Sequence, residues 1–253
     1  MARVLAAAWV ALASGAEYSC VEKAPLSSGG RATPNVNGAD HLFIGGELKP
    51  WAGKVVEVTS PVYEADGERK AVIGSLSSMD GGAARVAAQA AAAAWDSGQG
   101  EWPQMTLRAR AAALSAYLSE LEATSRGDIV EMLMWEIAKS SGDAAKEFDR
   151  TVSFARTVIA TALEADETEP FGAWTGVSGV RGRVRRGPVG VTLMLAPFNY
   201  PLNEMYAMMM PALLMGNTVI LKLPAIGALQ GRKRMQNSQL WRLISRSFPT
   251  HFR

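Results

Sequence analysis

The clearest hydrophobic pattern in the chain lies between residues 187 and 225. An apolar run from Val189 to Leu195 is long enough for a buried strand. After a loop with two prolines, Asn203 offers a cap for an apolar, Met-rich helix. Gly216-Asn217 is a helix-stop signal, and a β-branched run from Thr218 to Leu223 follows it. This order predicts a βαβ unit of a parallel sheet with a right-handed crossover.

Polar residues stand at the carboxyl ends of both predicted strands. Asn199 follows the first strand, and Lys222 lies near the end of the second. Ligands of parallel sheets bind beyond the carboxyl ends of the strands. The spacing therefore places a candidate binding site at this edge of the sheet.

The pattern upstream predicts a hairpin followed by helices. The hairpin runs from His41 to Val58 with turns at Gly45-Gly46 and Gly53, and a further strand covers Ala71–Leu76. Breaks are expected at Gly98–Pro103 and Arg126–Asp128. Apolar stripes of helical period, which we interpret as core, mark four helices: Ser78–Trp95, Thr106–Glu122, Ile129–Ala138 and Asp143–Leu163.

Val177–Arg186, read VSGVRGRVRR, alternates apolar and basic residues. The alternation predicts an extended arm or a hairpin with one charged face. A solvated edge strand protected by arginine is the simpler alternative for a single chain.

Composition is typical of a globular protein. The 253 residues are 48% hydrophobic and 20% charged, which allows one large or two modest domains. Six Lys or Arg and no Asp or Glu follow Ala225, so a basic tail adjoins a mildly acidic body. This distribution does not indicate a nucleic-acid-binding domain.

Candidate reactive residues are few outside the central stretch. The single cysteine, Cys20, excludes an intramolecular disulfide, and nothing near it would lower the pKa of its thiol. His41 has no partner at ligand spacing, so no metal site is predicted. Residues 1–16 resemble a secretory or organelle-entry signal, with an Ala-rich helix or a mistaken gene start as alternatives.

PFNYP after an apolar strand, followed by PALLMGNTVILKLP, resembles the aldehyde dehydrogenase superfamily. The form is most similar to its NADP-dependent non-phosphorylating glyceraldehyde-3-phosphate dehydrogenase branch. The resemblance implies an α/β fold that corresponds to the amino-terminal part of that family's fold, truncated. It would comprise a helical entry region, a β arm near 177–186 and the first βαβ of a parallel cofactor sheet, at 188–224. On this basis we divide the chain into a targeting segment and linker at 1–40, a partial domain at 41–229, and an unrelated basic tail at 230–253.

The resemblance assigns roles at the sheet edge. Asn199 would donate a hydrogen bond to the developing oxyanion, and its alternative role is that of a turn residue bonded to its own backbone. Lys222 would hold the adenosine ribose of NAD or NADP, with a strand-end lysine reaching water as the alternative. Further residues expected to contact the cofactor are Leu195, Ala196, Pro197, Phe198, Pro224 and Ala225. The absence of a Gly-x-Gly-x-x-Gly motif argues against an ordinary Rossmann oxidoreductase and agrees with the resemblance.

Ala225 bears on the choice of cofactor. Some NAD-preferring members have Glu at this position, which would repel a 2′-phosphate. We therefore expect an intact relative to tolerate NADP.

Arg150 and Tyr200 are implied contacts of a substrate phosphate. Arg150 belongs to a Glu-x-x-Arg-Thr sequence like that of the branch, and a guanidinium suits a phosphate. The alternative is a surface arginine paired with Glu147, three residues earlier on the same helix.

The implied function is NAD(P)-dependent oxidation of an aldehyde, with glyceraldehyde 3-phosphate as a candidate, to its acid. The small-molecule aldehyde is the expected partner, the intact family implies a homo-oligomer in the cytoplasm, and no nucleic-acid or membrane partner is expected. The family's Cys nucleophile and Glu base have no counterpart here, so we expect weak or absent turnover. The alternative function is a non-catalytic fragment that associates with full-length subunits. A splice or frame change is the preferred explanation of the tail, and a basic amphipathic helix is its alternative.

Overall fold

The computed structural model describes residues 33–38, 41–63, 69–168, 175–182 and 186–229. Cys20, the predicted signal segment and the basic tail lie outside these ranges. The strands are β1 (Val36–Gly38), β2 (His41–Ile44), β3 (Glu47–Pro50), β4 (Val55–Tyr63), β5 (Lys70–Ser77), β6 (Thr175–Val177), β7 (Val180–Gly182), β8 (Val191–Leu195) and β9 (Thr218–Lys222). The α-helices are α1 (Gly81–Trp95), α2 (Glu101–Gln104), α3 (Leu107–Ile137), α4 (Ser141–Thr168) and α5 (Pro201–Leu214), and a 3₁₀ turn covers Asp96–Gly98.

The predicted hairpin from His41 to Val58 is only half right. β2 and β3 form an antiparallel pair around Gly45-Gly46, whose φ angles of 62° and 81° suit a tight hairpin turn. β4 instead pairs with β5, and β1 joins β5 in parallel on its other side. The turn residues predicted the first hairpin correctly. The partner of β4 is set instead by tertiary packing, because Val58 of β4 packs in one cluster with Met132 of α3.

The helix boundaries differ from the prediction, and the second and third predicted helices form the single helix α3. α1 begins three residues later than the predicted Ser78, because Asp80 caps it by accepting a hydrogen bond from the Ala83 amide at 2.8 Å. The predicted break at Arg126–Asp128 is wrong, because α3 continues through it. Ser125 and Ile129 are buried on either side of Gly127, and a single glycine costs a helix only about 1 kcal/mol. Packing against α4 offsets that cost.

Two other boundaries also differ from the prediction. The stretch Gly98–Pro103, predicted as a break, contains the start of the short helix α2. The last helix before the arm, predicted over Asp143–Leu163, spans Ser141–Thr168. Ser140 precedes it and accepts a hydrogen bond from the Asp143 amide, so the helix begins two residues earlier than predicted.

The predicted βαβ unit is confirmed. β8 and β9 are parallel neighbours, and Leu195 pairs with Lys222 at their carboxyl ends. α5 lies between them in sequence and packs on the main core, which it shares with α3 and α4. The largest fully buried side chains of this core include Leu114, Leu118, Phe148, Met210 and Leu214.

The carboxyl end of α5 is held by side chains from elsewhere in the chain. The Trp102 indole donates to the Leu213 carbonyl at 2.9 Å, and Arg110 Nε donates to the Leu214 carbonyl at 2.8 Å. The Asn217 side chain donates to the Ala212 carbonyl and accepts from the backbone amides of the two residues before β8, Val189 and Gly190, at 2.7 and 3.0 Å. The last carbonyls of a helix have no partners within it. The bonds from Trp102 and Arg110 fix this end of α5 against α2 and α3, and those of Asn217 fix it against the segment that leads into β8.

The first part of the arm predicted near 177–186 belongs to the β6–β7 hairpin, and residues 183–185 lie outside the described ranges. Ser178 and Gly179 turn it, with φ angles of 51° and 81°. Val180 is 72% exposed. None of the helices in the described ranges has the length and apolarity needed to cross a bilayer.

Candidate functional site

The site begins where β8 ends. The β8–β9 pairing extends one residue beyond the strand, because the Ala196 amide donates to the Lys222 carbonyl at 3.1 Å. Pro197 then turns the chain out of the sheet, and Asn199 and Tyr200 form an exposed loop before Pro201 starts α5. The loop and Lys222 therefore lie at the same edge of the sheet, as the spacing predicted.

The residues expected beside the cofactor differ in exposure. Leu195 and Phe198 are 62% and 63% exposed, while Ala196 is buried. Lys222 and Ala225 are also exposed. Pro197 is half-buried and Pro224 is buried, which is consistent with supporting the turn and the strand end.

In the Glu-x-x-Arg-Thr sequence of α4, Glu147, Arg150 and Thr151 each contact a residue at the start of α5. Glu147 accepts hydrogen bonds from the Leu202 and Asn203 amides, both at 3.2 Å. The guanidinium carbon of Arg150 lies 5.0 Å from the centroid of the Tyr200 ring. The Thr151 hydroxyl lies 3.4 Å from the side-chain oxygen of Asn203. The structure thus brings Arg150 and Tyr200 together.

The predicted cap of α5 is wrong. The helix begins at Pro201, where a proline is favourable, and Asn203 lies inside its first turn. Tyr200, at the cap position, makes no side-chain cap hydrogen bond. The buried carboxylate of Glu147 takes that role from another helix, which a reading of the local sequence could not reveal.

The alternative pairing of Arg150 with Glu147 is also not observed. Glu147 is 1% exposed, and its second oxygen pairs with Lys139. Among the described residues, Arg150 makes no ion pair and is exposed. Its neighbour Asp149 is engaged with Arg126 of α3 at 2.8 Å, and that hydrogen bond holds the pKa of Asp149 below its usual range.

Sequence reasoning missed Lys139 and the true role of Glu147. The Lys139 ammonium lies 3.8 Å from the centroid of the Tyr200 ring and pairs with Glu147. One signal was present, since Glu147, Arg150 and Thr151 share one helix face at spacings of three and four residues. Lys139 precedes α4 and carried no such signal. Within the described ranges, no cluster of His, Cys, Asp and Glu could hold a metal ion.

Residues 53–233 match the aldehyde dehydrogenase family, so the chain belongs to that family. It is 34% identical over 137 residues to the NADP-dependent glyceraldehyde-3-phosphate dehydrogenase of Nicotiana plumbaginifolia. That alignment covers 51% of this chain and 27% of the relative. Over 48 residues it is 50% identical to the enzyme of the same name from Streptococcus equinus, covering 19% of this chain and 10% of that protein.

Solved structures agree with the family. The NADP-dependent glyceraldehyde-3-phosphate dehydrogenase of Bacillus halodurans C-125, complexed with NADP, superposes with a TM-score of 0.64 at 27% identity. The match covers 83% of this chain and 41% of that one, so the chain spans less than half the length of this relative. Aldehyde dehydrogenase 21 from Physcomitrella patens, at 21% identity and a TM-score of 0.68, shows the same fold over 86% of this chain and 42% of its own length. The expected α/β fold is therefore confirmed.

Proposed function

We propose that this chain forms the coenzyme- and aldehyde-binding part of an NAD(P)-dependent aldehyde dehydrogenase, with a phosphorylated aldehyde such as glyceraldehyde 3-phosphate as substrate. The observation that carries the proposal is the meeting of three groups at one sheet edge. Asn199 follows β8, Lys222 ends β9, and Arg150 of α4 lies against Tyr200. Ligands of parallel sheets bind at such edges.

Asn199 is suited to stabilise an oxyanion. Its amide is exposed in the loop between β8 and α5. A side-chain NH₂ group donates a hydrogen bond without any change of protonation, so it would act over a wide pH range. A donor of this kind, held by a rigid loop, would favour the tetrahedral adduct over the planar carbonyl.

The residues at the edge fit a dinucleotide. Lys222 offers an exposed ammonium for ribose hydroxyls or a 2′-phosphate, and Leu195 and Phe198 offer exposed apolar surface. Ala225 is exposed and carries no carboxylate that would repel a 2′-phosphate, so the edge suits NADP as well as NAD. When bound, NAD(P) supplies the hydride acceptor. Pro224 is buried and would keep the end of β9 in place beneath the bound cofactor.

Arg150 and Tyr200 fit the phosphate of the substrate. The guanidinium can donate two parallel hydrogen bonds to phosphate oxygens, and a tyrosine hydroxyl can add another. The ring contact at 5.0 Å would hold the guanidinium beside the loop that bears Asn199. This arrangement would place the aldehyde end of a short phosphorylated substrate near the amide donor.

The test measures binding of two ligands to two variants of this chain. We expect Lys222→Ala to weaken NADP about ten- to hundredfold, the loss of one charge-assisted hydrogen bond, while glyceraldehyde 3-phosphate affinity stays unchanged. Arg150→Ala should show the reverse pattern with a similar magnitude. Isothermal titration calorimetry gives both affinities. Binding is the readout because the one cysteine, Cys20, lies outside the described residues and has no assigned role in turnover.

Each variant serves as the control for the other, because both remove one exposed positive charge. A third variant, Lys54→Ala, removes an exposed charge in the turn before β4 and should change neither affinity. Equal weakening of both ligands by both variants would indicate a general charge effect and would contradict the assignment of separate subsites.

The second candidate function is association with another subunit. It is favoured by the outward face of β8, where Val191, Leu193 and Leu195 are 39%, 63% and 62% exposed. Val189, just before the strand, is 86% exposed. Parallel sheets are normally covered on both faces, and a contiguous apolar patch is typical of an interaction surface. A full-length aldehyde dehydrogenase subunit or a second copy of the chain would cover it.

If association is the function, the chain should sediment as a species larger than its 27.0 kDa mass, or co-purify with a co-expressed full-length subunit. Leu193→Glu should abolish that association, because it places a charge in the centre of the patch. Val86→Glu is the matched control, since Val86 is 40% exposed on α1. A monomer that fails to co-purify before any substitution would exclude this candidate.

A further inference from the structure

Glu147 is a buried carboxylate bound to the first turn of a helix to which it does not belong. It is 1% exposed, and Oε1 accepts from the amides of Leu202 and Asn203, both at 3.2 Å. The first amides of a helix have no partner within it. Pro201 has no amide to offer, and the cap residue Tyr200 supplies no side-chain acceptor. Glu147 therefore satisfies the start of α5 from helix α4.

The second oxygen of Glu147 connects this cap to the loop. It pairs with the ammonium of Lys139, whose side chain is only 15% exposed. The same ammonium lies 3.8 Å from the centroid of the Tyr200 ring. An ammonium over an aromatic face is attracted by the ring's quadrupole. Lys139 thus contacts both the carboxylate that caps α5 and the aromatic residue just before α5.

Both oxygens of Glu147 are engaged in the described structure. One receives two amides and the other an ammonium, and the whole group is shielded from water. A carboxylate so occupied is poorly placed to move protons in catalysis. What it does control is geometry, because Asn199 lies between the β8 end, fixed by the Ala196 amide, and the α5 start, fixed by Glu147.

We propose that Glu147 and Lys139 are positioning residues that fix the loop of Asn199 and Tyr200 against α4. Any effect of this positioning on catalysis rests on the function proposed above. The positioning of the loop itself does not depend on that function. α4 carries Arg150 one turn after Glu147, so the pair sets the distance between the proposed phosphate contact and the proposed oxyanion donor. In this role the two residues act through the loop and not on the substrate itself.

The first test is hydrogen exchange of single amides, followed by NMR. Glu147→Gln keeps an acceptor oxygen and the side-chain shape but removes the charge that engages Lys139. We expect exchange of the Leu202 and Asn203 amides to accelerate about tenfold, as a charge-assisted bond becomes a neutral one. Exchange at Leu118, fully buried in α3, should stay unchanged. Equal acceleration at all three amides, or none at any, would overturn the proposal.

Substitution of Lys139 supplies the matched pair. Lys139→Gln removes the cation and should accelerate the same two amides, and it should also shift the ring resonances of Tyr200. Lys139→Arg keeps a cation and should restore both signals. Failure of Lys139→Arg to restore them, together with global unfolding of Lys139→Gln, would reduce the pair to an ordinary structural contact.

Affinity for inorganic phosphate separates positioning from simple charge. Glu147→Gln removes a negative charge near Arg150, so an electrostatic role alone predicts tighter binding. A positioning role predicts weaker binding, by several fold, because Tyr200 and Arg150 lose their fixed relation. Tighter binding would contradict the proposal. If the unaltered chain binds no phosphate, the phosphate subsite proposed above fails, and the exchange experiment alone still decides the role of Glu147.

Discussion

Trp102→Ala is expected to destabilise the folded chain by about 3–5 kcal/mol. Trp102 is 1% exposed, and its indole donates to the Leu213 carbonyl at 2.9 Å. The substitution leaves a cavity beneath the end of α5 and removes a hydrogen bond to the Leu213 carbonyl, which keeps the bond from the Gly216 amide at 2.9 Å. A loss of this size is a large share of the 5–15 kcal/mol that domains typically have, so the urea concentration at the unfolding midpoint should fall substantially. Urea denaturation followed by circular dichroism measures it.

Two further variants separate the causes. Trp102→Phe keeps most of the buried volume and removes only the hydrogen bond, so it should cost about 1 kcal/mol from that bond plus a small packing term. Trp51→Ala is the control, because Trp51 is half-buried and donates to the Lys54 carbonyl beside the β2–β3 hairpin. A cost at Trp51 equal to that at Trp102 would show that the end of α5 is not a special point of stability.

Arg110→Met is expected to lower the free energy of unfolding by about 3 kcal/mol, because it removes a buried hydrogen bond from a charged group and leaves carbonyl acceptors unsatisfied. Arg110 is 7% exposed and donates to the Leu214 carbonyl. Its Nη1 also donates hydrogen bonds to the carbonyls of Trp102, Pro103 and Met105. Burial lowers the pKa of Arg110, yet a guanidinium stays charged at neutral pH. A cation at a helix carboxyl end also complements the helix dipole.

The controls for Arg110 lie on the same helix. Arg108→Met removes an exposed arginine, 68% accessible, that pairs with Glu167, and should cost less than about 1 kcal/mol. Arg110→Lys keeps the charge but loses the planar array of donors, so an intermediate cost is expected. Thermal denaturation of the three variants shows which substitution lowers the stability most. If Arg110→Met proves as mild as Arg108→Met, water must satisfy the α5 carbonyls.

Both predictions concern α5 because its two ends depend on residues far away in the sequence. Trp102 and Arg110 hold its carboxyl end, and Glu147 holds its amino end. The loop with Asn199 lies directly before that helix. Stability at the core and geometry at the proposed site are therefore linked through one element.

The sequence alone determined the elements whose signals are local. The strand, helix and strand between 187 and 225 follow from hydrophobic runs and from glycine, because Gly216, with φ of +91°, can adopt the turn that ends α5. Asp80 caps α1 through its own neighbours, and Gly45-Gly46 turns a hairpin of adjacent strands. The family also followed from the sequence, since its motifs are contiguous in the central stretch.

Features that depend on partners distant in the sequence were determined only by the tertiary structure. α3 runs unbroken past Gly127 because Arg126 pairs with Asp149 of α4 and Ile129 lies in the core that α3 and α4 share. β4 pairs with β5 rather than with the nearer β3. The cap of α5 comes from Glu147, more than fifty residues earlier, and Lys139 joins that cap to Tyr200. Local propensities are worth about 1 kcal/mol or less for most residues. Burial of a large apolar side chain contributes about 1.5–3 kcal/mol, and a buried charge left without its partner costs about 3–5 kcal/mol, so contacts between distant segments set these features.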